Sequence, residues 1–182
     1  MRELALHILD LARNSIEAGA TRLHLTVTED PETDRLEITV ADNGKGMEEA
    51  TRAQVTSAFF TTRDSRRWGL GLPLFEAACE RCGGAVEISS QPGEGTVVRG
   101  ELRLGHLDRA PLGDMGAVIQ ALALESGQMA LRYEHRVGEQ SFVLDTGELQ
   151  RELGEAPLSD PQVLVWLAEH VRKGLQEIGI QA

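Results

Sequence analysis

The amino-acid sequence predicts an α+β fold, and three observations support that prediction. Apolar residues recur at helical spacing through the opening stretch, and two segments of alternating polarity follow it. A polar turn joins those two segments, which makes them a hairpin rather than part of a parallel βαβ unit. A helix followed directly by a hairpin is typical of the α+β class.

The opening helix is expected from about Glu3 to Ala18, with Gly19 as its C-terminal cap. One broad face is apolar and holds Leu4, Ala5, Ile8, Leu9, Leu11, Ala12 and Ile16. A narrow polar stripe on the other side holds Glu3, His7, Asp10, Asn14 and Glu17. The hairpin strands follow at residues 21–28 and 35–42, and their alternation predicts one buried face.

The middle of the chain alternates between glycine-rich loops and regular structure. A short helix is expected from about Glu48 to Thr56, and a loop rich in arginine and glycine follows it. The next helix is predicted from about Pro73 to Cys82, because two glycines end it. Strands at residues 85–90 and 96–104 then form a second hairpin around the turn QPGEG.

The pattern changes near residue 106, where LGHLDRAPLGD is a candidate linker. The sequence therefore predicts a domain at residues 1–106 and a small α+β domain at residues 107–182. The second region is expected to hold helices at 114–126 and 147–153, strands at 128–136 and 140–146, and a final helix. Asp160 would cap that helix and Pro161 would begin it. Its expected apolar face is Val163, Trp166, Leu167, Val171, Leu175 and Ile178.

Composition narrows the possible partners and the compartment. The chain has 182 residues and a net charge of −11, which argues against non-specific nucleic-acid binding. No apolar run is long enough to span a membrane, and the N-terminus lacks the features of a signal peptide. We therefore expect a cytoplasmic protein that binds neither membranes nor nucleic acid.

The cysteines and three of the histidines are predicted to have no chemical role. Cys79 and Cys82 form a C-x-x-C pair, but no second pair or suitably spaced histidine accompanies them. We expect Cys79 in the core and Cys82 near the end of its helix. The scattered histidines, expected at the surface, are His106, His135 and His170.

Three short motifs could carry chemistry, and each has an ordinary alternative. Asp10 and Asn14 lie one helical turn apart and could hold a metal ion and a reacting water, or could simply face solvent. Asp42 begins the segment DNGKG, whose two glycines allow close backbone approach. Asp42 could accept a hydrogen bond from an adenine amine, or form a plain turn. The GLGL segment before a helix could cradle phosphate, or be a flexible basic loop.

The order of these motifs resembles the GHKL superfamily of ATP-binding domains. That superfamily includes gyrase, Hsp-type chaperones, histidine kinases and the mismatch-repair protein MutL. The likeness covers roughly residues 3–105, and DLARNSIEAGATRL is most similar to the MutL form of the first motif. AFFTTR and GLGLPLFEAACERCGGAVEISSQPGEGTVV are similar to the histidine-kinase form. The implied fold is a Bergerat-type two-layer α/β sandwich, a mixed sheet with helices on one face.

The resemblance also implies roles for particular residues. Asn14 would bind Mg²⁺ beside the ATP phosphates, Asp42 would accept from the adenine amino group, and Thr96 would close the adenine pocket. The remaining implied nucleotide-binding residues are Gly44, Gly46, Phe59, Phe60, Arg63, Gly69, Leu70, Gly71 and Leu72. Asp10 stands where the family usually has the glutamate that activates or orients the nucleophile, and it is one methylene shorter.

Three functions are consistent with this pattern. The first is an ATP-dependent kinase in signal transduction that passes the γ-phosphate to a His or Ser of a separate protein. The second is a slow ATPase switch that alters how residues 107–182 meet a partner. The third is a nucleotide-binding module without turnover, which the shorter acid at Asp10 and a short lid would favour.

Overall fold

The computed structural model of the chain describes residues 2–52, 71–127, 129–154 and 156–180. Within them the helices are α1 (Leu4–Glu17), α2 (Glu49–Arg52), α3 (Gly71–Arg81), α4 (Met115–Glu125), α5 (Thr146–Leu153) and α6 (Pro161–Glu177). The strands are β1 (Arg22–Asp30), β2 (Arg35–Asp42), β3 (Val86–Gln91), β4 (Gly95–Arg103), β5 (Ala130–Val137) and β6 (Gln140–Asp145). These elements follow the predicted order. Apart from the end of α2 and the start of α3, which border residues outside the described ranges, their ends lie within a few residues of the predicted ends.

All six strands form one mixed sheet in the order β3-β4-β2-β1-β5-β6. Neighbouring strands are antiparallel except for β1 and β5, which run parallel. Leu25 faces Val40 on one side and Tyr133 on the other, so the buried residues of successive strands line up in register. The predicted α+β class with a mixed sheet is confirmed.

One face of the sheet is apolar and carries the helices, while the opposite face is polar. Leu25, Val40 and Tyr133 on the apolar face are all at most 3% exposed. On the opposite face, Glu37 forms ion pairs with Arg35 and Arg99 at 2.8 and 2.6 Å. An alternating strand pattern therefore yields a two-layer sandwich with a single core.

Residues 107–180 contribute strands and helices to the same sheet and the same core. Strand β5 lies beside β1 over eight residue pairs, and helix α4 packs against both α1 and α6. The predicted boundary near residue 106 thus falls between two segments that share one sheet. A division of the chain there remains a prediction.

The predicted linker is tied to the start of α1. The backbone N–H groups of Leu4 and Ala5 donate to the carbonyl oxygens of Pro111 and Leu112, at 3.0 and 2.7 Å. The first N–H groups of a helix have no partner inside the helix, so the linker supplies the acceptors that they need. The linker thereby fixes the end of the helix that carries Asp10 and Asn14.

Two predictions about exposure in the second region are wrong: His135 was expected at the surface, and Trp166 on the apolar face of the last helix. His135 is fully buried, because its position on β5 points it toward the helices, where it shares hydrogen bonds with the Tyr133 hydroxyl and Glu29. Trp166 is 46% exposed and stacks on the half-buried His170 at 4.6 Å, instead of joining the buried face of α6. The buried residues of that helix are Leu164, Leu167, Ala168, Val171, Gly174 and Leu175.

Candidate functional site

Helix α1 carries the first candidate pair. Asp10 is half-buried and Asn14 is exposed, one turn further along the same helix. The start of α3 approaches Asp10 closely, since a Cβ atom built on Gly71 would lie 3.2 Å from the Asp10 Cβ. Of the residues following the predicted lid, Gly71 therefore lies beside Asp10, while Leu72 packs partly against the core.

The Asp10 carboxyl is electrostatically perturbed. Burial raises its pKa above the ordinary value, because an ionised carboxylate loses hydration there, while the nearby Arg13 charge acts in the opposite direction. A carboxylate with a raised pKa is a better proton acceptor than an exposed one. Asp10 therefore has a property that a general base in this position would need.

Asp42, at the end of β2, is held in a fixed orientation. The Ser15 hydroxyl donates to its Oδ2 atom at 2.7 Å, and the Gly44 backbone N–H donates to its Oδ1 atom at 2.8 Å. Each carboxylate oxygen can still accept a further hydrogen bond. Since Ser15 directly follows Asn14, one helix turn connects both ends of the candidate site.

The loop after Asp42 is anchored on both sides. The Asn43 side-chain oxygen accepts hydrogen bonds from the backbone N–H groups of Thr21 and Arg22, at 2.9 and 2.7 Å. The Lys45 N–H donates to the carbonyl oxygen of Ala18 at 3.0 Å. These bonds fix the glycine-rich loop against the C-terminal end of α1.

Gly46 fits a position that other residues could not occupy. Its φ angle is +63°, and an added Cβ would overlap the Gln91 carbonyl oxygen. The next residue, Met47, donates its N–H to the Ser90 hydroxyl, which also lies 2.9 Å from the Thr96 hydroxyl. Glycine is therefore required for the loop to pack onto the β3–β4 hairpin, close to Thr96.

The described part of the chain thus brings together Asp10, Asn14, Asp42, Thr96 and the loop glycines around α1, β2 and the start of α3. The predicted site residues that lie outside the described residues are Phe59, Phe60, Arg63, Gly69 and Leu70.

Sequence reasoning missed Ser15 and misplaced His7. Ser15 is only 3% exposed, and its spacing one residue from Asn14 gave no sign that it reaches Asp42 across 27 positions. His7 was placed on the polar stripe of α1, but it is 3% exposed and its ring lies 5.8 Å from that of Phe75. Burial lowers the pKa of His7 from 6.5 to about 4, so the imidazole is neutral at pH 7.

Both cysteines are buried, and Cys79 lies in the core as predicted. Cys79 is fully buried and Cys82, which follows the end of α3, is 2% exposed. Burial raises the pKa of the Cys79 thiol to about 12, which suppresses the thiolate.

The donors present fit a divalent cation shared with phosphate. Among the residues that the structure describes, no three His, Cys, Asp or Glu side chains converge on a metal position. The Asn14 amide oxygen, exposed on α1 beside the start of the candidate site, is a hard oxygen donor. Mg²⁺ prefers such ligands and usually binds through one or two of them, together with substrate phosphates and water.

A mixed sheet covered on one face by helices, with a fixed Asp at a strand end beside a glycine-rich loop, is the arrangement that the resemblance to the GHKL superfamily implied. A family model described as the histidine kinase-, DNA gyrase B- and HSP90-like ATPase matches residues 2–106. The chain belongs to this family.

Sensor kinases are prominent among the similar curated proteins. Sensor protein DegM from Bacillus sp. (strain B21-2) is 34% identical over 91 residues, covering 50% of this chain and 24% of its own. Sensor histidine kinase ZraS from Salmonella typhi is 35% identical over 91 residues, covering 50% of this chain and 19% of its own. Sensor protein kinase FleS from Pseudomonas aeruginosa is 38% identical over 89 residues, covering 49% and 22%. The chain therefore spans about a quarter or less of these relatives.

A solved structure shares the fold over a longer stretch. The N-terminal domain of a DNA repair protein superposes with a TM-score of 0.52 and 14% identity, covering 80% of this chain and 53% of that one. The fold likeness therefore extends beyond the residues that the family model matches. No helix among the described residues has the length and apolar character needed to cross a membrane.

Proposed function

We propose that this chain binds Mg-ATP between α1, β2 and α3 and transfers the γ-phosphate to a His or Ser of a separate protein. The observation that carries the proposal is the Ser15–Asp42 hydrogen bond, which joins the Asp10–Asn14 turn to the predicted adenine-binding residue at 2.7 Å. The similarity to sensor kinases over about half of the chain supports phosphotransfer as the reaction.

At the adenine end, the anchored Asp42 carboxylate would accept from the exocyclic amino group. Gly44 and Gly46 would leave room for the base, because neither presents a side chain. The Thr96 hydroxyl, beside Ser90, would close the same pocket from the neighbouring strand.

At the phosphate end, Asn14 would hold Mg²⁺, which when bound would neutralise phosphate charge. Asp10 would orient the attacking imidazole or hydroxyl and accept its proton. The bond between the γ-phosphorus and the β–γ bridging oxygen breaks, a bond from phosphorus to the acceptor atom forms, and ADP leaves. Catalysis of this kind depends mostly on positioning and charge, which suits a site built on a rigid helix.

The second candidate is a slow ATPase switch, favoured by a different observation. Residues 107–180 add two strands to the sheet and pack α4 on α1, so they touch the helix that carries Asp10. A change at the nucleotide could therefore alter the surface that this segment presents to a partner.

The third candidate, binding without turnover, makes a distinct prediction at Asp10. If the shorter acid has impaired the site, Asp10→Glu should create or increase hydrolysis. If Asp10 is already functional, the same change should leave hydrolysis equal or lower it.

Calorimetry tests the binding step. We expect Mg²⁺-dependent ATP binding by the wild type, and its loss in Asn14→Ala and Asp42→Ala. A wild type that does not bind ATP would overturn the proposed function.

Labelling with γ-³²P-ATP tests the transfer step. The expected result is a labelled protein in lysate when the wild type is added, and none when Asp10→Asn is added. Protection of residues 107–182 from trypsin by ATP, with no labelled protein, would favour the switch instead.

A further inference from the structure

An ion pair links the candidate active-site helix to the second region of the chain. Arg13, on α1 between Asp10 and Asn14, donates from Nε and Nη2 to the two carboxylate oxygens of Glu125, at 2.9 and 2.6 Å. Glu125 is the last residue of α4. The side chains are 29% and 37% exposed, and this two-point geometry is the strong form of an arginine–carboxylate pair.

Arg13 also has a second acid within reach. Asp10 precedes it by three residues, and side chains three apart on a helix are surface neighbours. The Arg13 charge already opposes the effect of burial on the Asp10 carboxyl. Without Glu125, the guanidinium would be free to turn toward Asp10 and pair with it.

We propose that Glu125 is a positioning residue that holds Arg13 away from Asp10, so that the Asp10 carboxylate stays available to the attacking group. The inference rests on the proposed function, in which Asp10 accepts the proton. It assigns residues 107–182 a part in the reaction, since the acid that controls Arg13 comes from that segment.

Among the described residues, the charge that acts on the Asp10 carboxyl is that of Arg13. On α3, Gly71 lies against the Asp10 side chain and carries no charge. On α4, Glu125 acts on Asp10 only through Arg13. His7, on α1 itself, is buried against Phe75, with its pKa lowered to about 4, so it is neutral at pH 7.

Four variants separate positioning from simple structural support. They are Glu125→Gln, Arg13→Gln, the double variant, and Arg172→Gln as a matched control. Arg172 pairs with Asp114 at 2.6 Å between α6 and the start of α4, with similar exposure of 39% and 42%. The control therefore removes an inter-helix ion pair of the same kind away from Asp10.

The kinetic readout is the turnover number for ATP together with the ATP dissociation constant. A positioned general base contributes about 10²–10⁴-fold, so partial loss of Asp10 in Glu125→Gln should lower kcat about tenfold at unchanged affinity. The double variant should recover the wild-type rate, because no guanidinium remains to be held. Equal losses in Glu125→Gln, Arg13→Gln and the double variant would show a structural role and overturn the inference.

A second readout does not depend on turnover. The Asp10 carboxyl carbon is titrated by NMR in the same variants without nucleotide. We expect the Asp10 pKa to fall in Glu125→Gln and to rise in Arg13→Gln and in the double variant, with no change in Arg172→Gln.

If the Asp10 pKa is the same in Glu125→Gln as in the wild type, the inference is refuted even if ATP is bound and transferred. The expected titration in a protein that binds no ATP would instead refute the proposed function, and would leave the control of Arg13 by Glu125 standing.

Discussion

Replacing Ser15 by alanine removes the hydroxyl that orients Asp42. The hydrogen bond at 2.7 Å has a carboxylate acceptor and a donor that is 3% exposed, so its loss should lower the free energy of unfolding by about 1.5–3 kcal/mol. The Asp42 carboxylate would then be held by the Gly44 N–H alone, so its rotation before binding would be less restricted. Fixing one such side chain costs about 0.5–1.5 kcal/mol, which predicts ATP binding weakened roughly two- to tenfold.

Urea denaturation and ATP calorimetry measure the two effects separately. Ser89→Ala is the matched control, because Ser89 is exposed on β3 and its change should alter neither quantity. If Ser15→Ala bound ATP with wild-type affinity, orientation of Asp42 by Ser15 would not matter to the nucleotide.

Three further predictions concern the loop glycine, the buried histidine and the cysteines. Gly46→Ala should abolish ATP binding in calorimetry, because a side chain there would overlap the Gln91 carbonyl at a φ of +63°; wild-type affinity would contradict this. Burial lowers the pKa of His7 from 6.5 to about 4, so the folded protein holds it neutral at pH 7. Its contribution to the free energy of unfolding is therefore complete above pH 6.5 and is lost as the pH falls toward 4, by up to about 3 kcal/mol in urea titrations. A His7→Leu variant should lack that loss, and an unchanged pH profile would refute it. Cys79 and Cys82 should resist a thiol reagent until urea unfolds the protein; rapid labelling of the native state would be inconsistent with their burial.

The sequence was sufficient to predict the helices and strands and most of their apolar faces, because both depend on short-range periodicity. Strand β2 begins and ends at the predicted residues, and Pro161 begins α6 with the Asp160 side chain accepting from the Gln162 N–H. Local signals such as a capping acid or alternating polarity act within a few residues, so one sequence contains them fully.

The pairing of β5 with β1 could not be predicted in the same way. The two strands are separated by about a hundred positions, and no local pattern specifies which neighbour a strand takes. The pattern change near residue 106 marks the linker, but periodicity carries no information about whether the sheet continues across it.

The candidate site shows the same limit. The acid–amide turn and the glycine-rich loop are visible as motifs in the sequence. The role of Ser15 is not, because it depends on a hydrogen bond to Asp42, 27 positions away. His7 fell on the polar stripe by its helical angle, yet the packing of α3 covers that part of the stripe with Phe75. Burial by a distant element is a tertiary property, which helical periodicity cannot report.

The parallel pairing of β1 with β5 also bears on how the molecule can be divided. A fragment ending near residue 106 would leave β1 as an edge strand with eight positions of unpaired backbone. Exposed strand edges recruit other strands, so such a fragment should self-associate or capture the β5–β6 hairpin of an intact copy. Folding is affected as well, since β1 cannot complete its hydrogen bonding until the chain has been synthesised past residue 137.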